Sequence, residues 1–316
     1  MKSRSGTFAS ILERIGNTPL IELGSIVPAD CARILLKLES ENPTGCMKDR
    51  MALAMIEAAE RDGRLEPGGH VIEYTAGSTG VSLAMICAAK GYHCSIVTSD
   101  AFSLEKRNHM EAFGADLKLV PSVEGRMDAA LTRNMIEEAR RITDRTGGFW
   151  TDQLENADQL TAYHRMGEEI WEQTGGELDA FVHMTGTAAS CRGVSEALHR
   201  HDPRIHCVAV EPSESAVLSG REPGAHKIEG VGAGFVVPLW RREAVDEIAT
   251  VSTKESIHTA RLLARTEALF AGTSTGGNVA AAIQIGRRLG PEATVVTVLC
   301  DSGMKYLSTA LYGSAE

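Results

Sequence analysis

From about residue 50 onward, apolar positions alternate between a helical and a strand spacing. Asp49 to Asp62 sets Met51, Leu53, Met55, Ile56 and Ala59 on one helical face and stops at Gly63, so it predicts a helix. Val71 to Tyr74 predicts a strand, followed by a loop at Thr75 to Thr79, a helix at Gly80 to Lys90, and a strand at Cys94 to Thr98. A helix at Ser103 to Phe113, a strand at Leu117 to Val120 and a long helix at Met127 to Thr146, closed by Gly147-Gly148, complete the first half. The second half repeats the scheme: helix Leu160 to Gln173, strand Ala180 to Met184, helix Ser190 to His199, strand Cys207 to Glu211. An irregular Gly/Pro-rich stretch, Pro212 to Pro238, interrupts it before helix Lys254 to Ala268, the short segment Leu269 to Ala271, helix Thr275 to Arg288 and strand Thr294 to Cys300. Alternating strands and helices imply βαβ units around parallel sheets, an α/β protein. The join between domains is expected near Gly148 to Gln153, and no fixed-period repeat or low-complexity tract appears.

A chain of 316 residues, 43% hydrophobic and 23% charged, is long enough for two domains with real cores. Its formal charge of 32 − 42 = −10 is the wrong sign for gripping nucleic acid or anionic lipid over a broad face. A local phosphate site stays open. Seven cysteines, an odd number without a C-x-x-C pair, read as reduced core thiols of a cytosolic protein. Glu13 and Arg14 interrupt any apolar leader, so no signal peptide is expected. The longest uncharged stretch, Leu269 to Gly286, is too rich in Gly, Thr, Ser and Asn for a membrane span.

In open α/β sheets ligands gather beyond the carboxyl ends of strands, here the turns that leave Tyr74, Met184, Ala271 and Cys300. Met184-Thr185-Gly186-Thr187-Ala188-Ala189-Ser190 joins a strand to a helix and presents free N–H groups at a positive dipole end, a phosphate cradle. A hydroxyl-capped helix start without a ligand is the competing reading. No G-x-x-x-x-G-K-[ST] is present, which excludes a nucleotide triphosphate loop. Lys48 opens the Asp49 helix, where the dipole disfavours a cation and partial burial would yield a neutral, nucleophilic amine. The competing reading is a solvated lysine neutralised by Asp49. Gly272-Thr273-Ser274-Thr275-Gly276 fits the nucleophile elbow of hydrolases, but that fold needs a histidine after the serine and the last one here is His258. His199, His201 and His206 lack a partner motif such as H-E-x-x-H and read as a solvated loop, so no metal site is expected.

Taken in order, these segments resemble the cysteine synthase and cystathionine β-synthase family of pyridoxal-phosphate enzymes, with the tryptophan synthase β-subunit fold (fold type II). Nearly the whole chain is covered. Ile15-Gly16-Asn17-Thr18-Pro19-Leu20 is similar to the family's opening signature, and Asn42-Pro43-Thr44-Gly45-Cys46-Met47-Lys48-Asp49-Arg50 to its lysine motif. Glu73-Tyr74-Thr75-Ala76-Gly77-Ser78-Thr79-Gly80 resembles the substrate loop E-P-T-S-G-N-T-G, departing at Tyr74, Ala76 and Ser78. Gly186-Thr187-Ala188-Ala189-Ser190 stands where the family has its G-T-G-G-T phosphate loop. With Ala in place of Gly, the loop is expected to avoid positive φ and follow an ordinary helix-start path. Asp152-Gln153-Leu154-Glu155-Asn156, Gly230-Val231-Gly232-Ala233-Gly234-Phe235 and Asp301-Ser302-Gly303-Met304-Lys305-Tyr306 are similar to the N-Q-F-E-N, mouth-loop and closing segments.

The resemblance implies two open twisted sheets flanked by helices, with the active site between the domains. Residues 1–43 would pack largely with the C-terminal domain, 44–150 would form a smaller mobile domain, and 151–316 would bind the cofactor phosphate. It implies pyridoxal 5'-phosphate as cofactor, held by Lys48, Ser78, Gly186, Thr187, Ala188, Ala189, Ser190 and Ser274, the last at the pyridine nitrogen. The substrate carboxylate falls to Thr75, Ala76, Gly77, Thr79 and Gln153. Lys48 is then both the cofactor's lysine and the catalytic base. The implied reaction is β-replacement on O-acetylserine or O-phosphoserine, with sulfide as the nucleophile and L-cysteine as the product. Alternatives are cystathionine or diaminopropionate-type synthesis, β-elimination such as cysteine desulfhydration, and a non-catalytic pyridoxal-phosphate binder. A cytoplasmic homodimer acting on a small amino acid, without nucleic acid or membrane, completes the expectation.

Overall fold

In this computed structural model, which describes residues 7–124 and 129–313, the apolar runs of the chain assemble two sheets. In chain order the elements are β1 (Leu20–Glu22), β2 (Arg33–Leu38), α1 (Lys48–Asp62), β3 (His70–Tyr74), α2 (Ser78–Lys90) and β4 (His93–Ser99). There follow α3 (Leu104–Ala112), β5 (Asp116–Val120), α4 (Ala129–Thr146), β6 (Phe149–Trp150), α5 (Gln159–Thr174) and β7 (Ala180–Met184). The remainder is α6 (Ala189–His201), β8 (His206–Pro212), β9 (Glu247–Val251), α7 (Thr253–Thr266), α8 (Thr273–Leu289) and β10 (Thr294–Leu299). One sheet has the order β1-β2-β10-β7-β8-β9 and the other β5-β4-β3-β6. All pairs are parallel except β1 on β2, where Leu20 faces Lys37.

Parallel strands covered on both faces are apolar on both faces. In β7, Phe181 points into a cluster with Met51, Tyr163, Met166 and Val194 from α1, α5 and α6, while Val182 points to Leu263, Val279 and Ile285 from α7 and α8. The smaller sheet is filled the same way, by α1 and α2 around Ile56, Val81 and Ile96 and by α4 around Met135 and Ala139. Gly63, Gly91 and Gly175 end α1, α2 and α5 in the left-handed region, the usual stop for a helix. Among the described residues no helix is long and apolar enough to cross a membrane.

The sequence pattern misses β1, β2, β6 and β9. In β2 the charge of Lys37 breaks an apolar run, yet Lys37 is fully buried and its ammonium meets Glu169 (2.7 Å), Gln173 (2.9 Å) and the Thr18 carbonyl (2.7 Å). Glu169 also grips Arg50 (2.7 and 2.8 Å), which forks onto buried Glu39 (2.6 and 2.8 Å). This buried ion network ties the first turn of α1 to β2 and α5. β6 is too short to carry a period, and Met127, the expected start of the α4 helix, lies outside the described residues.

Candidate active site

The strands β3, β7 and β10 deliver the chain to one cleft, and four helices begin there. Their N-cap residues, Met47 for α1, Gly77 for α2, Ala188 for α6 and Gly272 for α8, provide no side-chain cap. By contrast Ser103 and Ser252 cap α3 and α7. Four helix ends with uncapped first-turn N–H groups make the cleft attractive to anions.

Lys48 is the first residue of α1 and partly buried. Burial pushes its amine below the ordinary lysine range, opposed by the nearby thiols of Cys46 and Cys300 and the carboxyl of Asp301. Asp49 does not neutralise it. That carboxylate is itself buried and turns away to accept from the Thr44 amide (2.8 Å) and hydroxyl (2.5 Å). Lys48 is therefore a half-buried amine that Asp49 does not pair. Burial holds the neighbouring thiols protonated, Cys46 up to about 11 and Cys300 up to about 12.

The turn after β7 departs from expectation. Ala188 adopts φ +69, so the loop takes the left-handed path that its Ala-for-Gly substitution should disfavour. The close approach of Gly186 to Gly230 explains why the loop has no slack: a Cβ on Gly186 would lie 2.3 Å from the Gly230 carbonyl oxygen. Under the turn, Asn278 accepts from the Met184 amide (2.6 Å), which fixes its amide group so that Nδ2 faces His183 Nδ1 (3.3 Å). The His183 proton is then on Nε2, which donates to Ser190 Oγ (2.9 Å) and leaves that hydroxyl's own proton free for an anion. Burial drives His183 down to about 3, so this arrangement persists at neutral pH. Thr185 Oγ1 is buried at the same turn with no oxygen or nitrogen partner, beside the Cys191 thiol. Thr187 reaches Gln159 (3.3 Å).

On the opposite wall, α2 begins two residues earlier than its pattern suggests, making Ser78 its first residue. Gly77 has φ +146, and the stem of Lys106 fills the space its Cβ would take, with Cδ 2.3 Å from that point. Thr75 accepts from the Gly77 amide (3.0 Å). Thr79 donates to Gln153 Oε1 (2.8 Å), whose Nε2 donates to the Tyr74 carbonyl (2.9 Å). Buried Glu73 underlies both, receiving Thr151 Oγ1 (2.6 Å) and the Gln153 amide (3.0 Å), and burial raises its carboxyl to about 7. The methyl of Ala76 joins an apolar cluster with Tyr74, Phe102 and Leu154.

Ser274, buried in the first turn of α8, lies against the Cys300 thiol, so the apparent hydrolase elbow opens on this cleft. Ser78 Oγ is 3.5 Å from Asp301 Oδ2, which also takes the Tyr306 hydroxyl (2.7 Å), and Asp301 Oδ1 is buried without a partner. Lys106 pairs with Glu229 (2.6 Å) over the Tyr306 ring, bridging the substrate-loop wall to the 230–234 glycine loop. The structure thus brings Lys48, the 75–79 loop, Gln153, the 186–190 turn and Ser274 to one cleft. Sequence reasoning missed His183, Asn278, Lys106 and Glu229, and gave Asp301 only as part of the closing segment. A histidine inside the apolar run Ala180 to Met184 was the visible signal for the first. The histidines of the 199–206 stretch do not enter the cleft: His201 pairs with Glu168, and His206 with Glu247 (2.9 Å).

Uncapped amides, a lysine whose pKa burial lowers and a hydroxyl-lined anion cradle are the parts of a site for a phosphorylated aldehyde cofactor. The chain belongs to the pyridoxal-phosphate dependent enzyme family, whose pattern matches residues 11–301. It is 41% identical over 305 residues to a cysteine synthase of Staphylococcus aureus (strain Mu50 / ATCC 700699), covering 96% of each chain. The crystal structure of a cysteine synthase (OASS) from Entamoeba histolytica superposes with a TM-score of 0.92 at 36% identity, over 100% of this chain and 94% of that one. An O-ureido-L-serine synthase does so with a TM-score of 0.91 at 34% identity, over 98% and 97%. The protein is a pyridoxal 5'-phosphate enzyme, and the buried Thr185 hydroxyl, the free Ser190 proton and the α6 amides fit the cofactor's phosphate.

Proposed function

We propose that this enzyme catalyses β-replacement on an activated L-serine derivative, O-acetylserine or O-phosphoserine, with sulfide as the nucleophile, to give L-cysteine. The observation that carries the reading is Lys48, an amine whose pKa burial lowers, in the first turn of an uncapped helix and in one cleft with the 186–190 cradle and the 75–79 loop. Pyridoxal phosphate, when bound, supplies the electron sink that makes the α-proton of an amino acid acidic. In this reading the 186–190 turn would hold its phosphate, Ser274 would meet its pyridine nitrogen, and Ser78 would contact the cofactor. A serine hydroxyl in place of a carboxylate, as Ser274 supplies, would leave that nitrogen largely unprotonated and so would favour loss of the β-substituent over transamination. Lys48 Nζ takes the α-proton as general base, the β-substituent leaves, and the nucleophile adds to the β-carbon. The amides of 75–79 bind the substrate carboxylate, and Gln153 positions that loop through Thr79 and Tyr74.

The choice of nucleophile is the finer part of the proposal. A cysteine synthase and an O-ureido-L-serine synthase superpose on this chain almost equally, so the fold does not select it. Ala76 has no side-chain donor, and Ser78 is shorter than the family's asparagine. Cystathionine formation, diaminopropionate-type synthesis and β-elimination are the competing outcomes. We read residues 44–150 as the smaller mobile domain, 151–316 as the phosphate-binding domain, and the enzyme as a homodimer. Seven free buried thiols support a cytoplasmic setting. The test adds O-acetylserine or O-phosphoserine to the holoenzyme, follows the visible absorbance, and measures cysteine formed with sulfide. Lys48→Ala should abolish turnover and leave the far-UV spectrum unchanged. Turnover by Lys48→Ala, or a spectrum indifferent to both donors, refutes the reading.

A further inference from the structure

At the amino end of the six-stranded sheet, away from the cleft, three side chains of metal-ligating type converge. His199 in the last turn of α6, Cys207 at the second position of β8 and Asp246 just before β9 offer an imidazole nitrogen, Sγ and a carboxylate oxygen that all lie within 4.8 Å of one another. The elements hold them there. Asp246 donates its amide to the Cys207 carbonyl (2.8 Å), and the Cys207 amide donates to Asp246 Oδ2 (2.7 Å). His199 Nε2 lies 3.3 Å from Asp246 Oδ2 and 2.9 Å from the Ile205 carbonyl.

A second observation points to a ligand. Ser195, one turn before His199 on α6, is fully buried, and its hydroxyl has no oxygen or nitrogen partner but faces the sulfurs of Cys207 and Cys191. An ion pair between His199 and Asp246 beside an inert core thiol would account for two of the groups and leave this hydroxyl with two thiols, both weak acceptors. A thiolate in the place of the thiol gives Ser195 a strong acceptor.

We propose that His199, Cys207 and Asp246 bind one divalent cation of the zinc class, with a fourth position open to water. A mixed nitrogen, sulfur and oxygen set matches the preferences of zinc and cobalt, whereas calcium and magnesium take oxygen ligands. Ser195 supplies the outer hydrogen bond that orients the sulfur. The side chains of Asp246 and His199 are 43% and 22% exposed, so the ion has a path from solvent. The site is at the opposite end of the sheet from Lys48 and takes no part in the reaction; it clamps α6, β8 and β9 together.

The test titrates chelator-treated holoenzyme with cobalt(II) alone and follows the d–d absorption of a tetrahedral centre, which lies to the red of the cofactor band. One cobalt per chain is expected, with a higher unfolding temperature. Cys207→Ser should remove the band, and Ser195→Ala should weaken binding by about tenfold. His199→Gln, at a partly exposed position, keeps the test open if a core variant fails to fold, and it too should remove the band. Cys31→Ser and His206→Ala should leave the band unchanged. No tetrahedral band at saturating cobalt, or a band that survives Cys207→Ser or His199→Gln, overturns the proposal.

Discussion

Replacing Glu169 with Gln keeps the shape of the side chain and removes the charge that holds two buried cations. Glu169 accepts from the Asn17 amide (2.9 Å), Lys37 (2.7 Å) and both terminal nitrogens of Arg50 (2.8 and 2.7 Å). Burial raises its carboxyl, but the Arg50 bonds and the charges of Arg50 and Lys37 outweigh that and hold it at about 2, from an ordinary 4.5. A displacement of that size corresponds to about 3 kcal/mol of preference for the ionised form in the folded state. Because the folded value is depressed, this stability is complete above pH 4.5 and is lost as pH falls toward 2. Glu169→Gln should therefore cost about 3 kcal/mol at pH 7 by urea denaturation of the holoenzyme, with the gap to wild type narrowing in acid. Glu169→Ala should cost more, about 3 to 5 kcal/mol, since it also strips Arg50 and Lys37 of their acceptor. A Gln variant within about 1 kcal/mol of wild type at pH 7, or a gap that stays constant below pH 4.5, would refute the reasoning.

His183 gives a separate acid window: its folded value near 3 lies below the unfolded 6.5, so stability falls as pH drops through that range, by about 5 kcal/mol in all. His183→Asn should flatten the slope in pH-dependent denaturation; an unchanged slope counts against the assignment. Ala188→Val puts a β-branched residue at φ +69 and should lose about 2 kcal/mol or more with weaker cofactor retention, while Ala188→Gly should shift stability by less than about 1 kcal/mol. Dialysis and denaturation measure both, and a tolerated valine would mean the loop relaxes. Restoring the loop with Ala76→Ser plus Ser78→Asn should raise kcat/KM for O-acetylserine and sulfide if the departures mark another preference; a wild type that matches or beats it refutes specialisation. Loss of one hydrogen bond to a charged group, about 1.5 to 3 kcal/mol, bounds the expected change at roughly ten- to a hundredfold.

The helices and central strands were legible because apolar spacing responds directly to a two-faced sheet: Phe181 and Val182 fill opposite clusters, and the run Ala180 to Met184 shows it. What escaped the pattern escaped for physical reasons. β2 carries Lys37, a charge whose burial depends on Glu169 and Gln173 more than a hundred positions away. Ala188 was expected to avoid positive φ, and local propensity was overruled by packing of the turn against the 230–234 loop. The motifs around Lys48, Gly77, Gly186 and Ser274 were readable because each is a local turn whose backbone chemistry is written in neighbouring residues.

The residues that tie those turns together are not local. Lys106 shows why. Its stem occupies the space beside Gly77, so the glycine answers both to a φ of +146 and to a side chain from α3. Burial alone would lower the Lys106 amine, but Glu229 and Asp301 outweigh it and keep the charge, and Glu229 stands at the threshold of the glycine loop that packs on Gly186. A shift of the substrate loop therefore has to move Lys106, break or drag its 2.6 Å bond to Glu229, and alter the wall against which the 186–190 turn is held. Asp301 meets the same problem from β10, joining Tyr306 firmly and Ser78 at 3.5 Å. Loop, cradle and Lys48 wall are coupled through charges contributed by positions 106, 229 and 301, whose proximity no spacing along the chain can encode.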